Sequence, residues 1–302
     1  MIYGIDIGGT KIEFVAFDDD LNAVDRVRVD TPADDYDAFL SVLDALVSKA
    51  DARFGEQPRV GLGVPGLTDS EGRALCANLP GVSGHHVGDD VAARIGRPVA
   101  TLNDTRCFAL SEARGGAGEG YRVVFGAILG TGAAGGLVID GRVEDGHRGL
   151  AGEYGHLPLP AALQCKYDLP VRRCGCGLPG CLEAYVAGEG LMALAKHFGA
   201  TAADAPGLAA AWRTGDAAAV ATRDAFIDIL GAGFANIVKL CDPDVIVMGG
   251  GLSLIDETIE LLPQAIAVHL FAGFASPPVV RARFGDASGV RGAALLAQGL
   301  PV

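Results

Sequence analysis

The sequence predicts an α/β protein built from two similar lobes, and three observations carry that prediction. Strand-like apolar runs alternate with helical patterns along the chain, the signature of layered sheets and helices. Two of the runs, IYGIDIGGTKIEFVAF (2–17) and VVFGAILGTGAAGGLVI (123–139), share one plan of strand, glycine turn and strand, which points to a duplicated lobe. The 302 residues are also more than a single simple domain commonly uses.

The elements follow in order. After the first hairpin, TPADDYDAFLSVLDALVSKADARFG (31–55) reads as a helix. Thr31 is the expected cap, Pro32 the first helical residue, and Gly55 the stop. Its Tyr36, Phe39, Leu40, Leu43, Leu46 and Val47 recur at helical spacing and form one apolar face. PRVGLGVPG (58–66) and RPVATLND (97–104) read as strands, and TRCFALSEARGG (105–116) as a helix starting just after Asp104. The lobe boundary is expected near Gly115–Gly120. Residues 1–117 then form a small lobe, completed by a C-terminal helix over about 289–302, and residues 118–288 form a large one. The uncharged run Val123 to Ile139 is slightly short for a membrane span and is broken by five glycines, so it reads as a buried strand–turn–strand. Residues 183–240 are rich in Ala and Leu and read as mostly helical. DVIVMGGGLS (244–253) gives a strand, three glycines and a helical pattern.

Half of the residues are hydrophobic, enough for a sizeable core. The net charge of −13 repels nucleic acid and anionic membrane surfaces, and no basic patch offsets it, so neither is an expected partner. Any bound anion must therefore be met by backbone N–H groups, a helix N-terminus or Mg²⁺. Met1 leads straight into a strand pattern with no signal-peptide layout, and a cytoplasmic location is expected. In that reducing compartment the seven cysteines are not expected to pair as disulfides.

Two glycine turns carry the first candidate site. In DIGGT (6–10), Gly8 and Gly9 lack a Cβ and can aim N–H groups at phosphate oxygens. Thr10 adds a hydroxyl, and Asp6 is placed to hold hydrated Mg²⁺. Gly130, Thr131 and Gly132 repeat the device, and two such hairpins across a cleft can clamp a triphosphate. Gly249–Gly251 then offer bare backbone to a nucleoside, or form a plain strand–helix turn. Asp104 ends a strand at the start of a helix. It reads either as the general base that takes a proton from an attacking hydroxyl or as a simple N-cap.

The stretch RRCGCGLPGCLEAY (172–185) crowds Cys174, Cys176 and Cys181 into one glycine-rich turn. Three thiolates with His156 from GEYGH (152–156) make a closed tetrahedral zinc set, which would be structural; Cys165 is an alternative fourth ligand. Cys76, Cys107 and Cys241 read as buried or free thiols. Zinc would bring Glu153 and Glu183 beside His156, whose second ring nitrogen stays available. Two carboxylates and an imidazole can grip a polyol, although each glutamate taken alone reads better as solvated surface or helix N-terminal charge.

Taken together, DIGGTK, the Asn103-Asp104 pair, ILGTG, GEYGH and CGCGLPGCLE resemble the ROK family of sugar kinases and related repressors, and the resemblance spans the whole chain. It implies the hexokinase/actin-like ATPase fold, with duplicated ribonuclease H-like lobes and an interlobe cleft that closes over the sugar. DAFL (37–40), CFALSEA (107–113), the spacer before RRCGCG and GDASGVRGAA (285–294) are most similar to the branch of bacterial N-acetyl-D-glucosamine kinases. Glucokinase, fructokinase and N-acetylmannosamine kinase are the alternatives.

The implied reaction is phosphorylation of a hexose 6-hydroxyl by Mg-ATP, with Asp104 as base. By the same resemblance Asn78, Asn103, Glu153, His156 and Glu183 hold the sugar. Gly8, Gly9, Thr10, Lys11, Thr131 and Gly132 hold phosphates, Gly249 and Gly250 lie near the nucleoside, and the protein forms a homodimer. The acidic charge and the five residues before Asp6 do not suit a DNA-binding repressor. Two departures from the family pattern stand out. Ala133 and Ala134 follow GTG where glycine is common, and their methyl groups are expected to crowd the phosphates. Thr105-Arg106 replace the usual Ala-Asn, and Arg106 is expected to pair with Asp104 or a neighbouring acid.

Overall fold

The computed structural model describes residues 1–299. Strands β1 (Ile2–Ile7), β2 (Lys11–Phe17), β3 (Ala23–Asp30), β4 (Arg59–Val64), β5 (Leu67–Thr68), β6 (Ala74–Leu75) and β7 (Val99–Asn103) come first. Strands β8 (Val123–Leu129), β9 (Ala133–Ile139), β10 (Arg142–Glu144), β11 (Val245–Gly249) and β12 (Val279–Arg281) follow. The first five-stranded sheet runs β3-β2-β1-β4-β7 and the second runs β10-β9-β8-β11-β12. Both sheets have two antiparallel pairings on one side of the first strand and two parallel pairings on the other. The repeated hairpins of the sequence are therefore corresponding parts of one repeated sheet. The run Val123 to Ile139 forms β8, a turn and β9. Among the described residues no helix is long and apolar enough to cross a membrane.

Each sheet has its own core. In the first, Tyr3, Ile5, Phe14 and Leu62 pack with Phe39 and Leu43 of the helix Tyr36–Phe54. In the second, Phe125, Tyr154, Phe226 and Phe234 gather around the long helix Ala217–Cys241. The helix Tyr36–Phe54 starts later than expected. Asp35 caps it by accepting from the Ala38 N–H, and Gly55 ends it in a left-handed turn. Thr31, too far ahead of the helical face to reach those N–H groups, braces the first glycine turn instead: its hydroxyl donates to the Gly8 carbonyl at 2.8 Å.

The helix Asp104–Ala113 is the central element. It packs on β8 and β9 of the second sheet and on the C-terminal helix Ser288–Ala297. That last helix lies across β1 and β4 of the first sheet. The approach is close enough to require glycine: a Cβ on Gly61 would sit 1.8 Å from the Ala293 carbonyl oxygen. Residues 300–302 of the expected terminal helix lie outside the described residues. Glu112, fully buried near the end of the central helix, clamps the chain leading into the terminal helix. It accepts from the N–H groups of Ala117, Arg283 and Phe284 and from the Ser288 hydroxyl, at 2.7–3.0 Å.

Candidate active site

Asp6, Gly63 and Asn103-Asp104 lie together at the C-terminal ends of the parallel strands β1, β4 and β7. Gly130 and Gly250 stand at the equivalent ends of β8 and β11. Open parallel sheets bind ligands at these ends, because the strands stop there and the connecting backbone is free to meet a ligand.

Each glycine turn is closed by the N–H of its first glycine, the second turn being one residue tighter. The Gly8 N–H closes the first by donating to the Lys11 carbonyl at 2.9 Å, and the Gly130 N–H closes the second by donating to the Gly132 carbonyl at 2.9 Å. The expected Gly8 phosphate donor is therefore consumed by its own turn. Among the described residues, the N–H groups of Gly9 and Thr10, and of Thr131 and Gly132, have no protein acceptor. Each hairpin thus offers two unpaired donors, which suits a polyanion. The Lys11 ammonium is engaged by Asp30 on β3. Gly249 is buried beneath the Phe108 ring, where a Cβ would lie 2.4 Å from the ring, so the open surface at this turn belongs to Gly250 and Gly251. Ala133 does not crowd the cleft: it is 1% exposed and faces the core of the second sheet, while its N–H donates to Glu183 Oε2 at 2.9 Å.

The cap of the central helix is Asn103, not Asp104. Asn103 Oδ1 accepts from the Thr105 and Arg106 N–H groups, and its amide donates to the Gly66 carbonyl at 2.8 Å. Asp104 is the first helical residue and is left over for chemistry. Burial, with Glu153 nearby, pushes its carboxyl up to about 6, despite the Thr105 N–H that it accepts. Asp6 is pushed up to about 7 by burial, then by Asp104 and Glu13. Two neighbouring carboxylates that resist ionising together mark a place for a proton or a cation.

Arg106 does not pair with Asp104. Its side chain, 4% exposed, reaches past β9 to Glu153 at 3.5 Å. Glu153 leads into the short turn Tyr154–His156, which lies on β9; a Cβ on Gly155 would be 2.0 Å from the Ala133 carbonyl oxygen, hence the second glycine of GEYGH. His156 points its two nitrogens in different directions. Nδ1 is 3.6 Å from Cys174 Sγ, and Nε2 is 4.0 Å from Glu153 Oε2. The ligand atoms of His156, Cys174, Cys176 and Cys181 all lie within 4.8 Å of one another, and Cys176 Sγ is 3.6 Å from Cys181 Sγ. A tetrahedral ion with bonds of about 2.3 Å to sulfur would place such atoms about 3.8 Å apart, so the set has the right size for zinc. Cys165 is exposed on the short helix Ala161–Lys166 and is not in this group. Glu183 joins the cysteine loop to the second glycine turn, accepting from Cys174 Sγ and from the Ala133 N–H. Asn78 is exposed beside Gly9.

A cleft of about 440 Å³ opens next to Asn103. Gly66, Thr68 and Thr101 line one side, and Arg106, His147 and Gly149 another. The sequence reading did not single out those loops, because their role comes only from facing each other. It also missed Glu112, whose one signal was an acid inside the largely apolar CFALSEA stretch.

The ROK family profile matches residues 2–299. The chain belongs to the ROK family. Among its ROK relatives, the N-acetylgalactosamine kinase AgaK of Shewanella sp. (strain ANA-3) is 47% identical, with 99% of this chain and 97% of that protein aligned. The N-acetyl-D-glucosamine kinase of Pectobacterium atrosepticum is 46% identical over 98% of both chains. The ROK hexokinase of Thermus thermophilus superposes with a TM-score of 0.85 at 35% identity, covering 98% of this chain and 97% of that one. A ROK glucokinase of Streptomyces griseus, solved with glucose and AMPPNP, superposes at 0.78 with 28% identity, covering 98% and 99%. The two-lobed sugar-kinase fold implied by the sequence is thereby established.

Proposed function

We propose that this ROK protein transfers the γ-phosphoryl group of Mg-ATP to the 6-hydroxyl of N-acetyl-D-glucosamine. The observation that carries the reading is Asp104: it is released from capping by Asn103, raised to about 6 by burial, and set at the C-terminal ends of β1, β4 and β7 beside Asp6. A carboxylate of that basicity accepts a hydroxyl proton as the oxygen attacks. Glu153, Glu183 and the Nε2 of His156 grip the sugar hydroxyls, with Asn78 and Asn103 beside them. The free N–H groups at Gly9, Thr10, Thr131 and Gly132 orient the phosphates, and Gly250 faces the nucleoside. Asp6 is the carboxylate that would hold Mg²⁺, which supplies charge neutralisation at the transferring group. His156, Cys174, Cys176 and Cys181 would hold a structural zinc that fixes His156 and the loop carrying Glu183. Residues 1–117 with the terminal helix act as one lobe and residues 118–288 as the other, closing on the sugar. A cytoplasmic homodimer belongs to the same reading.

A second acceptor has specific support, since the 47% identical Shewanella relative is named for N-acetylgalactosamine. A coupled ADP-release assay with Mg-ATP compares N-acetylglucosamine, N-acetylgalactosamine, N-acetylmannosamine, glucose and fructose. A kcat/KM preference for N-acetylglucosamine of about tenfold or more, worth about 1.4 kcal/mol, supports the first reading. A preference for the C4 epimer moves the assignment to N-acetylgalactosamine, and no ADP release with any hexose overturns both.

A further inference from the structure

Arg106 is the third residue of its helix, after Asp104 and Thr105. A cation there opposes the positive helix terminus, and burying a guanidinium requires full compensation. The compensation comes from the chain between β10 and the turn Tyr154–His156. Nε and Nη2 donate to the Ala151 carbonyl at 3.2 and 3.1 Å, Nη2 also donates to the Gly149 carbonyl, and it stands 3.5 Å from Glu153 Oε1. Among the described residues those two carbonyls accept from Arg106 alone. The sheet makes room for the reach. A Cβ on Gly136 of β9 would be 3.0 Å from Arg106 Cα and 3.2 Å from its Cγ. Arg106 and Gly149 also line the cleft of about 440 Å³ beside Asn103.

We infer that Arg106 is a positioning residue for the sugar end of the reaction. From the helix that carries Asp104 it holds Glu153 and the Gly149–Ala151 stretch, and so sets the spacing between the base and the sugar clamp. The guanidinium fork suits this task, because its rigid, spread donors meet two carbonyls and a carboxylate at once, whereas an ammonium is a compact point charge on a flexible stem. The inference rests on the kinase reading proposed above, and on nothing about which hexose is preferred.

The test compares wild type with Arg106→Gln and Arg106→Lys, using whichever hexose the wild type phosphorylates best. Arg106→Gln is expected to raise KM for the hexose about tenfold or more, the range for losing charge-assisted hydrogen bonds, while KM for ATP stays within about twofold. Arg106→Lys should fall between the two. Calorimetric titration of the same hexose without ATP should show the same weakening. A merely structural role would lower Tm and raise both KM values together or neither. Either pattern, or a wild-type hexose KM in Arg106→Gln, overturns the inference. Wild type inert toward every hexose would instead sink the kinase reading on which it rests.

Discussion

Replacing Asp104 by Asn should slow turnover severely and at the same time make the protein more stable at pH 8. The side chains are isosteric, and Asn can still accept from the Thr105 N–H, as Asp104 Oδ1 does at 2.8 Å. What changes is the charge. Asp104 titrates at about 6 in the folded protein against an ordinary 3.8, chiefly because burial disfavours its ionised form. A folded value above the unfolded one adds stability that is fully present below the unfolded value and is lost as pH rises through the folded value. Above pH 6, therefore, wild type carries a penalty that Asn lacks. At about 1.4 kcal/mol per pH unit the gap amounts to about 3 kcal/mol, and access to water at the cleft reduces it to about 1–3 kcal/mol. For a chain of this size that is a rise in Tm of about 2–10 °C. Near pH 4 the difference should shrink toward zero. Losing the base should lower kcat by about 10²–10⁴. Calorimetry at pH 4 and 8 beside the ADP-release assay reads both effects. A variant that keeps wild-type kcat, or is less stable at pH 8, would refute the reasoning.

Three further outcomes are expected. The sugar kcat/KM should fall as pH drops through 6–7, where Asp104 and Asp6 titrate as a pair at about 6 and about 7, and by about tenfold per pH unit below that range; a flat profile down to pH 5 contradicts a carboxylate base. Metal analysis of reduced protein should find one zinc per chain, lost together with thermal stability on strong chelation or in Cys174→Ser; metal-free protein of full stability removes the zinc assignment. Glu112→Ala takes the buried acceptor from four donors, of which the Ser288 hydroxyl is buried and the three N–H groups are partly so, and should lower stability by about 3 kcal/mol, read by urea unfolding, whereas a loss below about 1 kcal/mol would show that water or another acceptor replaces the clamp.

Local chemistry made much of this legible in advance. The glycine hairpins, the strand ahead of Asn103-Asp104 and the turn that crowds Cys174, Cys176 and Cys181 together are each written within a short run of residues. Turn residues, apolar period and thiol spacing act over about ten residues, so the chain states them directly. The same holds for the duplication, because two similar hairpins fold into two similar sheets.

Packing between distant segments decided the rest. Asn103 rather than Asp104 became the cap, which freed the carboxylate. Arg106 found Gly149, Ala151 and Glu153 instead of the acid two residues away. Ala133 turned into the core, Gly249 slid under Phe108, and the Gly8 N–H closed its own turn. The raised carboxyls of Asp6 and Asp104 arose the same way, from strands that bring two acids together and shield them from water. A side chain's type says what it can bond. Which partner it meets, and how much water remains around it, depends on segments far away in the chain, and only the assembled lobes bring those together.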